Sequence, residues 1–485
     1  MSGYLLEIAP AYPEIFLLIA TCVVLLIDLF IKDDHRILTY IITQISLLIT
    51  AWLVFTGTDT TTVVTIFNDM FVADPMARVL KISMILITIA VFAYSRPYLK
   101  ERKLFKGELF TLGMFALLGM MVMVSAKTIL LVYLGLELLS LSLYAMVAFR
   151  RNDGIASEAA MKYFVLGAIA SGMLLYGMSI IYGLSGSLNL DMIATNLAAQ
   201  DSLMGNIGLL LGLSFILVGL GFKLGVVPFH MWIPDVYHGS PTAMTMFLGA
   251  APKIAVFAMV IRLLVEGLGG MSDGWQQILV LLAALSLFVG NVIAIAQTNL
   301  KRMLAYSTIS HMGFVAMGIL AANEAGYAAS MFYIITYAII SMGGFAVIIF
   351  LSSKKSEADD LSDLKGLGTR HPWIAFMMLL FLFSMAGIPP TVGFYAKLAV
   401  IEAVVGADLV WLAVFAVIMS VIGAYYYLRA IKIMYFEQSN KDIAPSYASL
   451  EFGALLSLNG LAVLALGFLP GGLMAICVSS IKAIL

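Results

Sequence analysis

Residues 207–234 read IGLLLGLSFILVGLGFKLGVVPFHMWIP. From Ile207 to Phe222 there is no charge, which approaches the roughly 20 apolar residues a membrane-crossing helix needs. Lys223 follows, then Pro228, and the apolar character resumes toward Trp232 and Pro234. A proline frees carbonyls of the preceding turn, and at membrane depth these are tolerated only against protein or a water-lined cavity. The stretch predicts a spanning helix interrupted beside a buried cation. Residues 383–398, FSMAGIPPTVGFYAKL, repeat the recipe, with Pro389, Pro390 and Gly393 ahead of Lys397. A kink made for packing alone is the other reading of either stretch.

The rest of the chain is similarly apolar. Of 485 residues, 62% are hydrophobic and 11% charged, with a mean hydropathy of +1.03; soluble domains carry about 25% charged residues. Scanning for spans gives about fourteen, beginning near Glu14, Ile37, Met76, Lys106, Thr128, Glu158, Gly205, Pro241, Trp275, Arg302, Gly326, Trp373, Asp408 and Glu451. The first carries Glu14, follows Glu7 and lacks a basic leader and an A-x-A site, so no cleaved signal peptide is expected. The longest polar connections, 186–205 and 352–372, leave no separate soluble domain. The expected fold is therefore all-α and polytopic.

The interrupted helices are the seventh and twelfth spans. Five is an odd separation, so a repeated five-helix unit would be inverted, as in inverted-repeat transporters. The expected organisation is one membrane domain, 1–485. It holds three leading helices (1–105), a first repeat of helices 4–8 (106–267), an inverted repeat of helices 9–13 (274–437) and a last helix (450–485). The lysines break the symmetry, since with the N-terminus outside both Lys223 and Lys397 lie outward of their prolines.

Charge decides what the chain is not. Lys and Arg total 27 against 28 Asp and Glu, so there is no polybasic footprint for nucleic acid. Cys22 and Cys477 are too few for an iron–sulfur cluster or structural zinc. Neither GxGxxG after a strand nor GxxxxGK[ST] occurs, so no nucleotide site is expected.

Cations also set orientation. With the N-terminus outside, the inner loops hold eighteen basic residues, among them Arg96, Lys100, Arg102, Lys103, Lys106, Lys354, Lys355 and Lys441. The outer ends hold five: Arg78, Lys81, Lys127, Arg262 and Lys482. Both termini are expected outside. The remaining four cations, Lys162, Lys223, Lys253 and Lys397, fall inside spans.

A charge at the bilayer centre costs about 2.5–3.5 kcal/mol on insertion scales and marks an ion path by default. Lys162, about one turn inside its helix, has snorkelling as an alternative; Lys223 and Lys253 lie too deep for it. Glu137, in LGLELLSLSLYAM, has no charged neighbour in sequence, and an interhelical hydrogen bond is its plainer reading. Burial disfavours the charged form of Lys and Glu alike, and a nearby opposite charge restores it. A Glu–Lys pair is thus a two-state element suited to proton relay. His230 and His311 also fall in spans, as relay groups, core hydrogen-bond partners or haem ligands; His35, His238 and His371 fall at loop edges. With no fuel site in sight, the work must come from a partner protein or an ion gradient.

Five runs carry a resemblance: LGLELLSLSLYAM (134–146), SEAAMKYFVLGAIASG (157–172), the run from Gly219 to Phe257, NVIAIAQTNLKRMLAYSTISHMGF (291–314) and LFSMAGIPPTVGFYAKL (382–398). They resemble the antiporter-like membrane subunits of bacterial respiratory NADH:quinone oxidoreductase (complex I), strongly over 128–397. The PDVYHGSP run (234–241) and Lys397 make the subunit N branch, NADH dehydrogenase subunit 2, the most similar.

The resemblance implies a proton-translocating subunit in a bacterial inner membrane, part of an enzyme but without a redox centre of its own. FMN, iron–sulfur clusters and quinone would belong to partner subunits of the membrane and peripheral arms. Glu137 would pair with Lys223, Lys253 would link two half-channels, Lys397 would face the outer exit, and Lys162 would lie near the Glu–Lys pair. His230 and His311 would be path residues. Pro252, directly before Lys253, departs from the pattern. A subunit of a cation/proton antiporter complex and a non-pumping spacer of the membrane arm remain the alternatives.

Overall fold

The computed structural model describes residues 7–32, 35–57, 63–199, 205–353, 356–438 and 449–485. Lys354, Lys355 and Lys441, counted above among the inner cations, lie outside them. Fourteen helical spans run in sequence. They are α1 (Ala9–Asp28), α2 (Ile37–Gly57), α3 (Pro75–Glu101), α4 (Gly107–Val124), α5 (Ile129–Val147), α6 (Gly154–Ser185) and α7 (Ile207–Leu224, resuming as Trp232–Gly239). There follow α8 (Thr242–Gly267), α9 (Ser272–Ala296), α10 (Leu300–Leu320), α11 (Glu324–Leu351), α12 (Pro372–Ala386, resuming as Val392–Gly406), α13 (Val410–Phe436) and α14 (Leu450–Phe468). Among the described residues thirteen are long and apolar enough to cross a membrane, while α12 is divided into two shorter helices.

Helix starts are written in short polar caps. Asp74 accepts from Ala77 N, Thr128 from Leu131 N, Asn206 from Gly208 N and Asn323 from Gly326 N. α8, α10 and α11 are nearly enclosed, whereas α2, α6 and α14 turn long apolar faces outward. Neighbours approach through small residues: a Cβ on Gly119 of α4 would lie 2.6 Å from Leu139 N of α5.

Several local expectations change. α6 begins at Gly154, four residues before Glu158, which places Lys162 two turns inside instead of one. A hairpin, β1 (Val64–Ile66) with β2 (Phe71–Ala73), interrupts the otherwise all-α order. The expected last helix divides at Leu469–Pro470, and Gly471–Lys482 forms a separate short helix. α8 is itself stepped, because Ala250 leaves helical geometry (φ −114°, ψ −90°) and Pro252 sits in the first turn of the segment that follows.

Charged clusters sort by end. At one end Glu357 meets Arg102 (2.9 Å), Tyr98 and Thr242 (2.6 Å), which gathers the termini of α3, α8 and α11. At the other, Lys127 pairs with Asp191 (2.8 Å) and Glu266 (3.0 Å), and Arg262 pairs with Asp74 and Glu266. These contacts agree with strictly alternating spans.

Candidate functional site

The first half of α7 ends at Leu224 because Gly225 takes the left-handed region (φ +83°), and the amides of Gly225 and Val226 both return to Gly221 O (2.8 and 3.0 Å). The turn, with a cis Val227–Pro228 bond, leaves the last carbonyls without helical partners. Side chains take them. Trp232 Nε1 donates to Phe222 O (3.0 Å), and Lys253 Nζ donates to Leu224 O (2.7 Å) and Lys223 O (3.3 Å). Ser286 Oγ accepts from Val227 N (2.9 Å). The step at Ala250–Pro252 precedes Lys253 directly, so the proline that departs from the expected pattern belongs to the kink that presents this ammonium.

α12 is interrupted in the same way. Gly387 lies at φ +85°, and the amides of Gly387 and Ile388 return to Phe383 O (3.0 and 2.9 Å). A cis Pro389–Pro390 bond follows, and Lys397 Nζ donates to the terminal Ala386 O (3.0 Å). Gly225 matches Gly387, Val226 matches Ile388 and Pro228 matches Pro390 in order. Only the source of the lysine differs, α8 in one case and the second half of α12 itself in the other. The C-terminal end of a half-helix carries partial negative charge, so it stabilises an ammonium that burial would otherwise disfavour. Lys253 and Lys397 are 2% and 9% exposed, too enclosed to be satisfied by bulk water.

Lys223 is buried on the facing side of the α7 break, and its Nζ donates to Ser140 Oγ (2.8 Å). No ion pair joins it to Glu137 among the described residues; the ammonium rests on Ser140. Glu137, Ser140 and Tyr144 share one face of α5, and in this state the ammonium rests on the hydroxyl one turn beyond the carboxylate. Glu137 Oε1 is buried without a hydrogen-bond partner among the described residues. A cavity of about 20 Å³ lies among Ser140, Lys223, Trp232 and Lys253, which is room for one water between the two lysines.

Lys162 also departs from expectation. It is exposed, and it pairs with Glu158 (2.9 Å) and Asp235 (2.8 Å), the latter held in turn by Arg302 (2.9 Å). It thus braces α6 against the second half of α7 instead of contacting the Glu137–Lys223 region. His230 is half-buried in the turn of α7. His311 is buried on α10 between Tyr333 (Nδ1, 2.7 Å) and Tyr427 (Nε2, 3.2 Å), and Tyr427 also meets Ser307. Lys397 Nζ lies 5.2 Å from the ring of Phe314, one turn along from His311. Buried polar groups therefore stand at both breaks: Lys223 and Lys253 at the first, and the His311–tyrosine group with Lys397 near the second.

Sequence reasoning missed three buried cations by placing them at helix ends. Lys81 pairs with Glu14 (2.6 Å), Arg262 pairs with Asp74 and Glu266, and Lys301 donates to Ser240 O (3.0 Å). A signal was present for the first pair, since Glu14 and Lys81 both open apolar runs. Among the described residues no three His, Cys, Asp or Glu gather as a metal site.

Interrupted helices with ammonium groups on their terminal carbonyls, buried in a polytopic bundle, define a membrane protein of the antiporter-like class. Residues 125–423 match the transmembrane family described as NADH:quinone oxidoreductase/Mrp antiporter. The chain belongs to the NADH-quinone oxidoreductase subunit N family. It is 56% identical to subunit N of Thioalkalivibrio sulfidiphilus over 98% of each chain. A chain of respiratory complex I from Thermus thermophilus aligns with a TM-score of 0.81 at 30% identity, over 96% of this chain and 98% of that one. A chain of the Mrp complex from a Dietzia species shares the fold alone, with a TM-score of 0.82 at 20% identity over 99% and 97%.

Proposed function

We propose that this chain is a proton-translocating membrane subunit of NADH:quinone oxidoreductase, driven by NADH oxidation and quinone reduction in partner subunits. The observation that carries the reading is the pair of matching helix interruptions, each with a buried lysine on its terminal carbonyls. A proton leaving such a lysine costs the half-helix its counter-charge, and a proton returning restores it. Each break is thereby a site with two states.

Within this reading Lys223 is the group that switches, moving between Ser140 and Glu137. Lys253 and the His311–tyrosine group link it across the centre to Lys397, which faces the outer exit. His230 and Lys162 sit beside the path, Lys162 by holding the second half of α7 through Asp235. Helices 4–8 (106–267) and 9–13 (274–437) are the inverted repeats, flanked by 1–105 and 450–485; the matching breaks in α7 and α12 support this division. The end that gathers Arg102, Arg150 and Lys301 is the inner one by its excess of cations, and both termini then face the periplasm of a bacterial inner membrane. FMN, iron–sulfur clusters and quinone reside in the partner subunits, and the translocase activity belongs to the assembled complex.

The family description, which also covers Mrp antiporters, keeps a cation/proton antiporter subunit as the second reading. Purification of the tagged chain from its native membrane decides between them. Co-purifying flavin- and cluster-bearing subunits with NADH dehydrogenase activity are expected; co-purification with antiporter subunits alone would overturn the proposal.

A further inference from the structure

A cavity of about 840 Å³ opens where one end of the α3–α4 turn meets the starts of α2 and α14. Five cations line it: Arg36, Arg96, Lys100, Lys103 and Lys106. Arg96 pairs with Glu451 and lies over Tyr40 (5.5 Å to the ring centre). Lys100, Lys103 and Lys106 are exposed and form no ion pair among the described residues. Lys103 is held at φ +57°, a region lysine seldom adopts, at the turn that carries these lysines to one rim. Like charges gathered without a counter-ion repel one another, so the rim suits a ligand that brings negative charge.

The walls say what else the ligand carries. Ile37 and Phe105 line the same cavity. From its rim an apolar stripe follows the outer face of α2: Ile37, Ile41, Ile45, Leu48 and Trp52 are 43%, 43%, 50%, 55% and 63% exposed. A cationic mouth at a helix end, continuous with an apolar track along the span, matches a molecule with an anionic head and hydrocarbon tails. A free phosphate ion would use the first part and not the second.

We propose that this cavity binds the headgroup of an anionic phospholipid, with its phosphate held by Lys100, Lys103 and Lys106 and its acyl chains lying along α2. Basic pockets between helices at the membrane boundary recognise such headgroups through charge. The site lies at the ends of α2, α3 and α14, away from Lys223, Lys253 and Lys397, and does not depend on the pumping role.

The test uses the assembled complex in phosphatidylcholine nanodiscs that contain a phosphatidylglycerol with a photoreactive acyl chain. Crosslinks are mapped by peptide mass spectrometry. They are expected on α2 between Ile37 and Trp52. The triple variant Lys100→Gln/Lys103→Gln/Lys106→Gln should need about a hundredfold more phosphatidylglycerol for half-maximal crosslinking, while NADH oxidation persists. If the triple variant fails to assemble, Lys103→Gln alone should shift the midpoint about fivefold. Unchanged midpoints, equal capture of a photoreactive phosphatidylcholine, displacement by millimolar inorganic phosphate, or no crosslinks on α2 would each overturn the proposal.

Discussion

Three lysines do different work at the two interruptions. Lys223 rests on a hydroxyl, which binds a cation less firmly than a carboxylate. Glu137→Gln should therefore lower pumping less than Lys223→Ala, and Glu137→Gln/Ser140→Ala should approach the Lys223→Ala level. Proton uptake into inverted vesicles measures this, and an additive, mild double variant would remove Ser140 from the account. Lys253 is different, because it satisfies two carbonyls that have no other partner in the break. Lys253→Met should cost about 1–3 kcal/mol for each acceptor left bare, visible as a lower melting temperature of the purified complex. An unchanged melting temperature would show that water takes over. The sequence located Lys223, Lys253 and Lys397 because a charge in an apolar run is conspicuous. It did not reveal their partners, because backbone carbonyls of another segment leave no trace in residue identity. Lys81 and Arg262 were misplaced for a related reason: they lie within two turns of a span end, where burial depends on what packs beside them.

At the level of the element, the prolines of α7 and α12 announced both breaks, and the structure adds the glycine that makes each possible. Gly225 and Gly387 hold φ of +83° and +85°, and a Cβ there would lie 2.0 Å from Ile233 Cδ1 and 2.9 Å from Lys397 Cδ respectively. Gly387→Ala should cost about 1–2 kcal/mol in backbone strain alone and displace Lys397 from Ala386 O. The expected result is loss of pumping disproportionate to loss of assembled complex, read by comparing activity with subunit content. If the two fall in parallel, the glycine serves folding only. The step in α8 was legible only as an anomaly, Pro252 before Lys253, because its purpose depends on where α7 ends. The β-hairpin before α3 and the division at Leu469–Pro470 escaped notice because each involves a few residues between stronger apolar signals.

Across the whole molecule, buried charge gathers in clusters at the two ends of the bundle. Arg102, Arg150 and Lys301 gather around one carboxylate, Glu357, in the connection after α11. Burial alone would raise the pKa of Glu357, but Lys301 and Arg102, with hydrogen bonds from Thr242 and Tyr98, hold it below the usual carboxylate range. A carboxylate lowered in the folded state adds stability that is fully present above the unfolded value and is lost as pH falls through the folded one. The melting-temperature gap between the native chain and Glu357→Gln should thus be widest near neutrality and close in acid; a gap independent of pH would assign Glu357 a packing role alone. The all-α order and the two interruptions were readable from apolar length and proline placement, whereas of about fourteen expected spans thirteen are long and apolar enough to cross among the described residues. The enclosure of α8, α10 and α11 was not readable, since every span is apolar and only packing separates centre from rim.

Under the proposed function, protons cross this chain through the α7 break. The most direct test is the number of protons pumped per NADH oxidised by the assembled complex in sealed vesicles, with Lys223→Ala against the native chain. The variant complex should assemble and pump fewer protons per NADH. Undiminished NADH oxidation with undiminished pumping in Lys223→Ala would contradict it and leave the chain a structural spacer of the membrane arm.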